Sequence, residues 1–188
     1  MAEKKQTYKY IIADSILGIL YDEYSLSEQE YYRIYSFYVT YSLCGKQSAK
    51  KRTFTDYGWP SENVKNTALG NALTTELCLN RKSNFIFTKE DDLATQFINH
   101  NLQDGLLADI DTERAVIGKT SESNKYLKLF YRIRNGFAHG KFNLRFASNN
   151  EKMVVIQDDD TNNVTARIVL KLSTLLAFID VVDINGII

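Results

Sequence analysis

Arg134, Asn135 and His139 sit close together in the stretch Lys125-Tyr-Leu-Lys-Leu-Phe-Tyr-Arg-Ile-Arg-Asn-Gly-Phe-Ala-His-Gly140. Arginine stays charged in any ordinary buffer, and its planar fork can grip two phosphate oxygens at once. Histidine titrates near neutrality in water, so one ring can accept a proton and return it later. Asn135 lies about one helical turn before His139, close enough to orient the ring or to hold a substrate oxygen through its amide. These side chains could cut an RNA backbone: a base for the ribose 2′-hydroxyl, positive charge on the crowded phosphate, and an acid for the departing 5′-oxygen. Lys125, Lys128 and Arg132 could guide the flanking phosphates. Such chemistry is complete without an ion, so neither a metal nor any other cofactor is expected.

Other chemistries find little support. The chain holds two histidines, no His-Glu-x-x-His, no paired Cys-x-x-Cys, no Gly-x-Ser-x-Gly and no phosphate-cradling glycine loop. Asp158, Asp159 and Asp160 could hold a divalent cation, but consecutive acids entering a turn also serve as solvated turn formers. His100, in Asn-His-Asn, has no arginine at the matching distance and reads as a surface residue. Cys44 and Cys78 lack metal spacing and read as thiols of a reducing cytoplasm. Lys and Arg total 23 and Asp and Glu total 23. No global positive field therefore draws the chain onto a polyanion, and any nucleic-acid site must be local.

The elements that position these residues follow from periodicity. At 100° per residue, Tyr126, Leu129, Phe130, Ile133 and Phe137 form a core stripe, while Lys125, Lys128, Arg132, Asn135 and His139 line the opposite, polar side. Arg134 lies on neither, beside a smaller apolar group of Leu127, Tyr131 and Ala138. An unpaired guanidinium in an apolar arc needs a carboxylate, a phosphate or a wet interface. If two copies of the helix meet there, Arg134 and His139 of both chains converge in one cleft. Gly140 stops the helix.

Around it, apolar spacing predicts a helix over 8–23, too interrupted by Asp14, Asp22 and Glu23 for a signal peptide or membrane span. A capping box from Ser25 to Glu28 opens a second helix reaching about Leu43. Its Tyr31, Tyr32, Tyr35, Phe37, Tyr38 and Tyr41 suit core, subunit contact or base stacking. A connection over 45–60 carries Lys46, Lys50, Lys51 and Arg52. Helices are expected at 61–81 and, from Thr88 with Asp91, at 88–103, with a loop over 104–121. Period-two patterns mark strands at 141–147, 153–157 and 164–171, the last two joined across 158–163. Ser173 is expected to cap a final helix. The expected fold is mainly α and a single domain over 1–188: a helical bundle (8–140), a small C-terminal antiparallel β appendage (141–171) and a last helix (173–183).

Arg134-Asn135-x-x-x-His139 on a late helix resembles the R-x4-6-H signature of HEPN domains, including the preferred polar residue directly after the arginine. The strands and final helix that follow look similar to small stand-alone bacterial HEPN proteins. The resemblance implies a homodimer that cleaves single-stranded or loop RNA without metal, leaving a 2′,3′-cyclic phosphate and a 5′-hydroxyl; a cytoplasmic location is expected from the cysteines. It implies catalytic roles for Arg134 and His139, a supporting one for Asn135, and a toxin or phage-defence setting with a separately encoded antitoxin or regulatory partner. The alternative is a non-catalytic HEPN dimer that binds nucleotide, RNA or a partner protein.

Overall fold

The structure is a computed structural model that describes residues 16–17, 24–44, 50–60, 68–76, 84–103, 107, 109–118, 124–160 and 163–188. Five strands, β1 (Phe85–Thr88), β2 (Arg114–Gly118), β3 (Phe142–Phe146), β4 (Lys152–Asp159) and β5 (Val164–Lys171), form one sheet in the order β1-β2-β5-β4-β3. Side chains alternate across a strand. On β4, Val154 and Ile156 join one apolar cluster while Met153 and Val155 join another, so both faces of the sheet are covered.

The first face carries α1 (Glu28–Ile34), α4 (Lys125–Ala138) and α5 (Leu172–Val182), with α2 (Ala68–Glu76) packed on α5. The second face is covered by α3 (Leu93–Asn99), whose Leu93 and Phe97 meet Val116, Val155 and Val169. The pair β1–β2 is parallel and the remaining pairs are antiparallel. A parallel pair needs a long crossover. Here it runs through a 3-10 turn over Glu90–Asp92 and then α3.

The mainly α expectation is therefore overturned: the chain has an α/β fold built on a five-stranded mixed sheet, not a helical bundle with a small hairpin. The three C-terminal strands form where periodicity places them, but they pair onward into β2 and β1. Every residue of β2 is buried, which erases the alternation by which a strand is read. That strand lies inside the segment expected to be a loop, and β1 ends where a helix was expected to begin.

Smaller corrections follow from local bonding. The capping box forms at Ser27 and Glu30, not Ser25 and Glu28; the Ser27 main-chain N–H donates to Glu30 at 2.7 Å and the Glu30 N–H to Ser27 Oγ at 3.2 Å. After Ile34 the helix widens into a π-helical turn over Tyr35–Thr40, in which the Tyr41 N–H reaches back to Ser36 at 2.7 Å. Lys171 occupies the N-cap of α5, so Ser173 lies within the helix. The expected helix over 8–23 falls outside the described residues except at Ile16 and Leu17, which form a turn, and so do Lys46, Cys78 and both ends of the expected helix over 61–81.

Candidate active site

Helix α4 starts at an Asn124 cap, whose side-chain oxygen accepts the Tyr126 N–H at 2.9 Å and the Leu127 N–H at 3.3 Å. Tyr126, Leu129, Phe130, Ile133 and Phe137 are all buried and form the expected core stripe. Leu127 and Tyr131 are half-buried and Ala138 is exposed, which leaves the smaller apolar group open.

Close approach to the sheet is set by Gly136. A Cβ at that position would stand 2.3 Å from Ile156 Cγ2, so only a bare backbone lets α4 lie this near β4. The helix then ends in a Schellman motif: Gly140 adopts φ +65°, its N–H donates to Phe137 at 3.3 Å, and the Lys141 N–H donates to Gly136 at 2.7 Å. His139 occupies the C-cap with its side chain exposed, and its main-chain N–H donates to the Asn135 carbonyl at 3.0 Å.

The expected polar track is divided by this packing. Lys125 and Lys128 stand at the N-terminal end over the Phe87 ring, at 5.5 and 5.9 Å from its centre, and Lys128 lines an open groove with Phe87, Thr88, Lys89 and Asp92. Arg132 and Asn135 instead face β4 and β5 and are 7% and 8% exposed. Arg132 donates to Asp158 Oδ2 at 2.7 Å and to Thr165 Oγ1 at 2.8 Å, and Thr165 donates to the Asp158 carbonyl at 2.9 Å. Asn135 donates through Nδ2 to the same Asp158 oxygen at 3.2 Å. Its Oδ1 accepts from Arg134 at 3.0 Å.

Arg134 has no carboxylate partner among the described residues, and its buried Nε has no hydrogen-bond acceptor. Five side chains thus form one connected network: Thr165, Arg132, Asp158, Asn135 and Arg134. His139 stands one turn beyond, on the solvent side.

Sequence reasoning missed Asp158 and Thr165. The signal was present in the alternation, because Val154 and Ile156 face the helix and residue 158 must follow them to that side. Asp158 is 2% exposed. Asp160 is exposed, in keeping with a turn former, and Asp159 pairs with Lys141. Among the described residues no three His, Cys, Asp or Glu side chains are placed to share a metal ion.

Residues 46–183 match the family described as HEPN pEK499 p136. The chain belongs to the HEPN superfamily. The match takes in the whole of α4, the sheet and α5, so the HEPN region contains every residue of the network. Membership points to a nuclease or nucleotide-binding role. No match was found among curated proteins or among solved structures. No helix among the described residues is long and apolar enough to cross a membrane.

Proposed function

We propose that this HEPN protein is a metal-independent endoribonuclease, active as a homodimer, in which Arg134 and His139 are catalytic and Asn135 supports them. The observation that carries the reading is the state of Arg134: a half-buried guanidinium tethered by one amide, with no carboxylate to neutralise it among the described residues. A phosphate is the kind of group that would complete it. Exposed His139 takes the proton from a ribose 2′-hydroxyl, the 2′-oxygen attacks phosphorus, and an imidazolium returns a proton to the departing 5′-oxygen. Arg134 carries the charge that gathers on the phosphate oxygens as the bonds exchange. The products are a 2′,3′-cyclic phosphate and a 5′-hydroxyl.

Open Leu127, Tyr131 and Ala138 beside Arg134 support a second copy docking along α4, which would bring two motifs together. Lys125 and Lys128 hold the flanking phosphates about 15 Å and about 10 Å up the helix from Asn135, at about 1.5 Å rise per residue. The Arg132 guanidinium is committed to Asp158 and Thr165, and its part in holding RNA is to shape the site rather than to meet solvent. A toxin or phage-defence setting, with a separately encoded partner, rests on the family resemblance alone.

The test is incubation with total RNA in EDTA, using the unaltered chain, Arg134→Ala and His139→Ala, each checked for dimer by sedimentation. Cleavage by the unaltered chain only, ending in cyclic phosphates, is expected. Equal survival of RNA in all three would turn the reading to a non-catalytic HEPN dimer that binds nucleotide, RNA or a partner protein.

A further inference from the structure

We infer that Asp158, outside the Arg-Asn-x-x-x-His motif, is a positioning residue that orients Arg134 through the Asn135 amide. The inference rests on the ribonuclease reading for its effect on rate, but its geometry stands independently. A carboxylate only accepts hydrogen bonds and a guanidinium only donates them. Placed between the two, Asn135 can satisfy both in one orientation: Nδ2 toward Asp158 at 3.2 Å and Oδ1 toward Arg134 at 3.0 Å. A flipped amide would set oxygen against oxygen on one side and donor against donor on the other. The carboxylate therefore selects the amide orientation, and the amide oxygen in turn fixes one terminal nitrogen of the Arg134 fork.

Asp158 is itself held. Its Oδ2 also accepts from Arg132 at 2.7 Å, its carbonyl accepts from Thr165, and its backbone lies in β4 opposite Ala166 of β5. The anchor is thus part of the sheet, and the tether reaches from it to a side chain on the helix. Without it, Arg134 would keep its charge and its place in the chain but lose its defined direction. Loose direction affects the step in which charge develops more than it affects initial binding.

The experiment compares the unaltered chain, Asp158→Asn and the double substitution Arg132→Met/Asp158→Leu. The double variant removes the buried charge pair as a unit, so it remains informative if Asp158→Asn fails to fold. Two readouts are taken on each folded dimer: single-turnover cleavage across RNA concentrations, and the side-chain NMR signals of Arg134 Nη1–H₂ and Asn135 Nδ2–H₂. Rates at saturating RNA are expected to fall on the order of a hundredfold, with the half-saturating concentration moved by no more than about threefold. The Arg134 and Asn135 signals are expected to exchange slowly in the unaltered chain, where both groups are hydrogen-bonded, and to broaden or exchange rapidly in the variants.

A folded double variant that cleaves at the unaltered rate, or that keeps both signals unchanged, would overturn the inference. If the unaltered chain cleaves no RNA, the ribonuclease reading fails while the NMR arm still decides whether Asp158 orders Arg134.

Discussion

Arg132 and Asp158 meet at 2.7 Å across the seam between helix α4 and strand β4, with side chains 9% and 3% exposed. Two opposite charges nearly excluded from water hold each other in place, and neither is tolerable alone. Replacing Arg132 by Met should destabilise the fold by about 3–5 kcal/mol, because it leaves the Asp158 carboxylate buried with only neutral donors. Replacing both partners by apolar residues of similar volume should cost markedly less than either single change. Urea denaturation of the three variants measures this; a double-variant loss equal to the sum of the two single losses would show that the pair is not coupled.

Gly136 offers a second expectation. Gly136→Ala places a methyl against Ile156 Cγ2 and should cost about 1–3 kcal/mol through overpacking, although alanine is the better helix former. Removing the opposing methyl with Ile156→Ala should relieve the clash, so the double variant should lose less than the sum of the two single losses. Strict additivity would mean that the helix and strand separate freely.

Arg134 should behave in the opposite way. Its Nε is buried without an acceptor and its charge has no carboxylate among the described residues, so Arg134→Met should leave stability within about 1 kcal/mol of the unaltered chain while cleavage is lost. Calorimetry and an RNA assay on the same sample separate these effects. A large loss of stability would make Arg134 a structural side chain.

Glu30 brings a pH dependence. Burial would raise its carboxyl, but hydrogen bonds from Ser27 and the Lys152 ammonium at 3.3 Å outweigh this and hold it below its ordinary value of 4.5. A carboxyl lowered by folding stabilises the native state above its unfolded pKa, and that contribution is lost as pH falls through the folded value. Glu30→Gln keeps the capping geometry but does not titrate. Between about pH 5.5 and about pH 3, melting temperature should therefore fall more steeply for the unaltered chain than for Glu30→Gln. Parallel curves would remove Glu30 from the account.

The helix that carries the motif was readable because the local signals agreed: a 3.6-residue apolar period over Tyr126 to Phe137 and a stopping Gly140. The strands from Phe142 onward were readable for the same reason, having clear alternation and a turn between. What could not be read was where the helix would lie. A face opposite the core stripe is ordinarily wet, yet α4 is laid along a sheet, and Arg132 and Asn135 turn inward to Asp158. β2 was hidden because both its faces are covered, and β1 because it is only four residues long and its last residue, Thr88, reads as a helix cap. Once two strands were lost, the sheet shrank to an appendage and the fold class was misjudged.

The turn after α4 has a further consequence. The N–H groups of His139, Gly140 and Lys141 are bound back to Asn135, Phe137 and Gly136, and the Lys141 carbonyl accepts from Gln157 on β4. The histidine is thus mounted on a pivot clamped from both directions, and its ring can travel only by turning about its own two side-chain bonds. Any strand of RNA that uses it has to bend itself to the imidazole, so the shape a nucleic acid can adopt, more than the letters it carries, would govern which of its linkages are within reach.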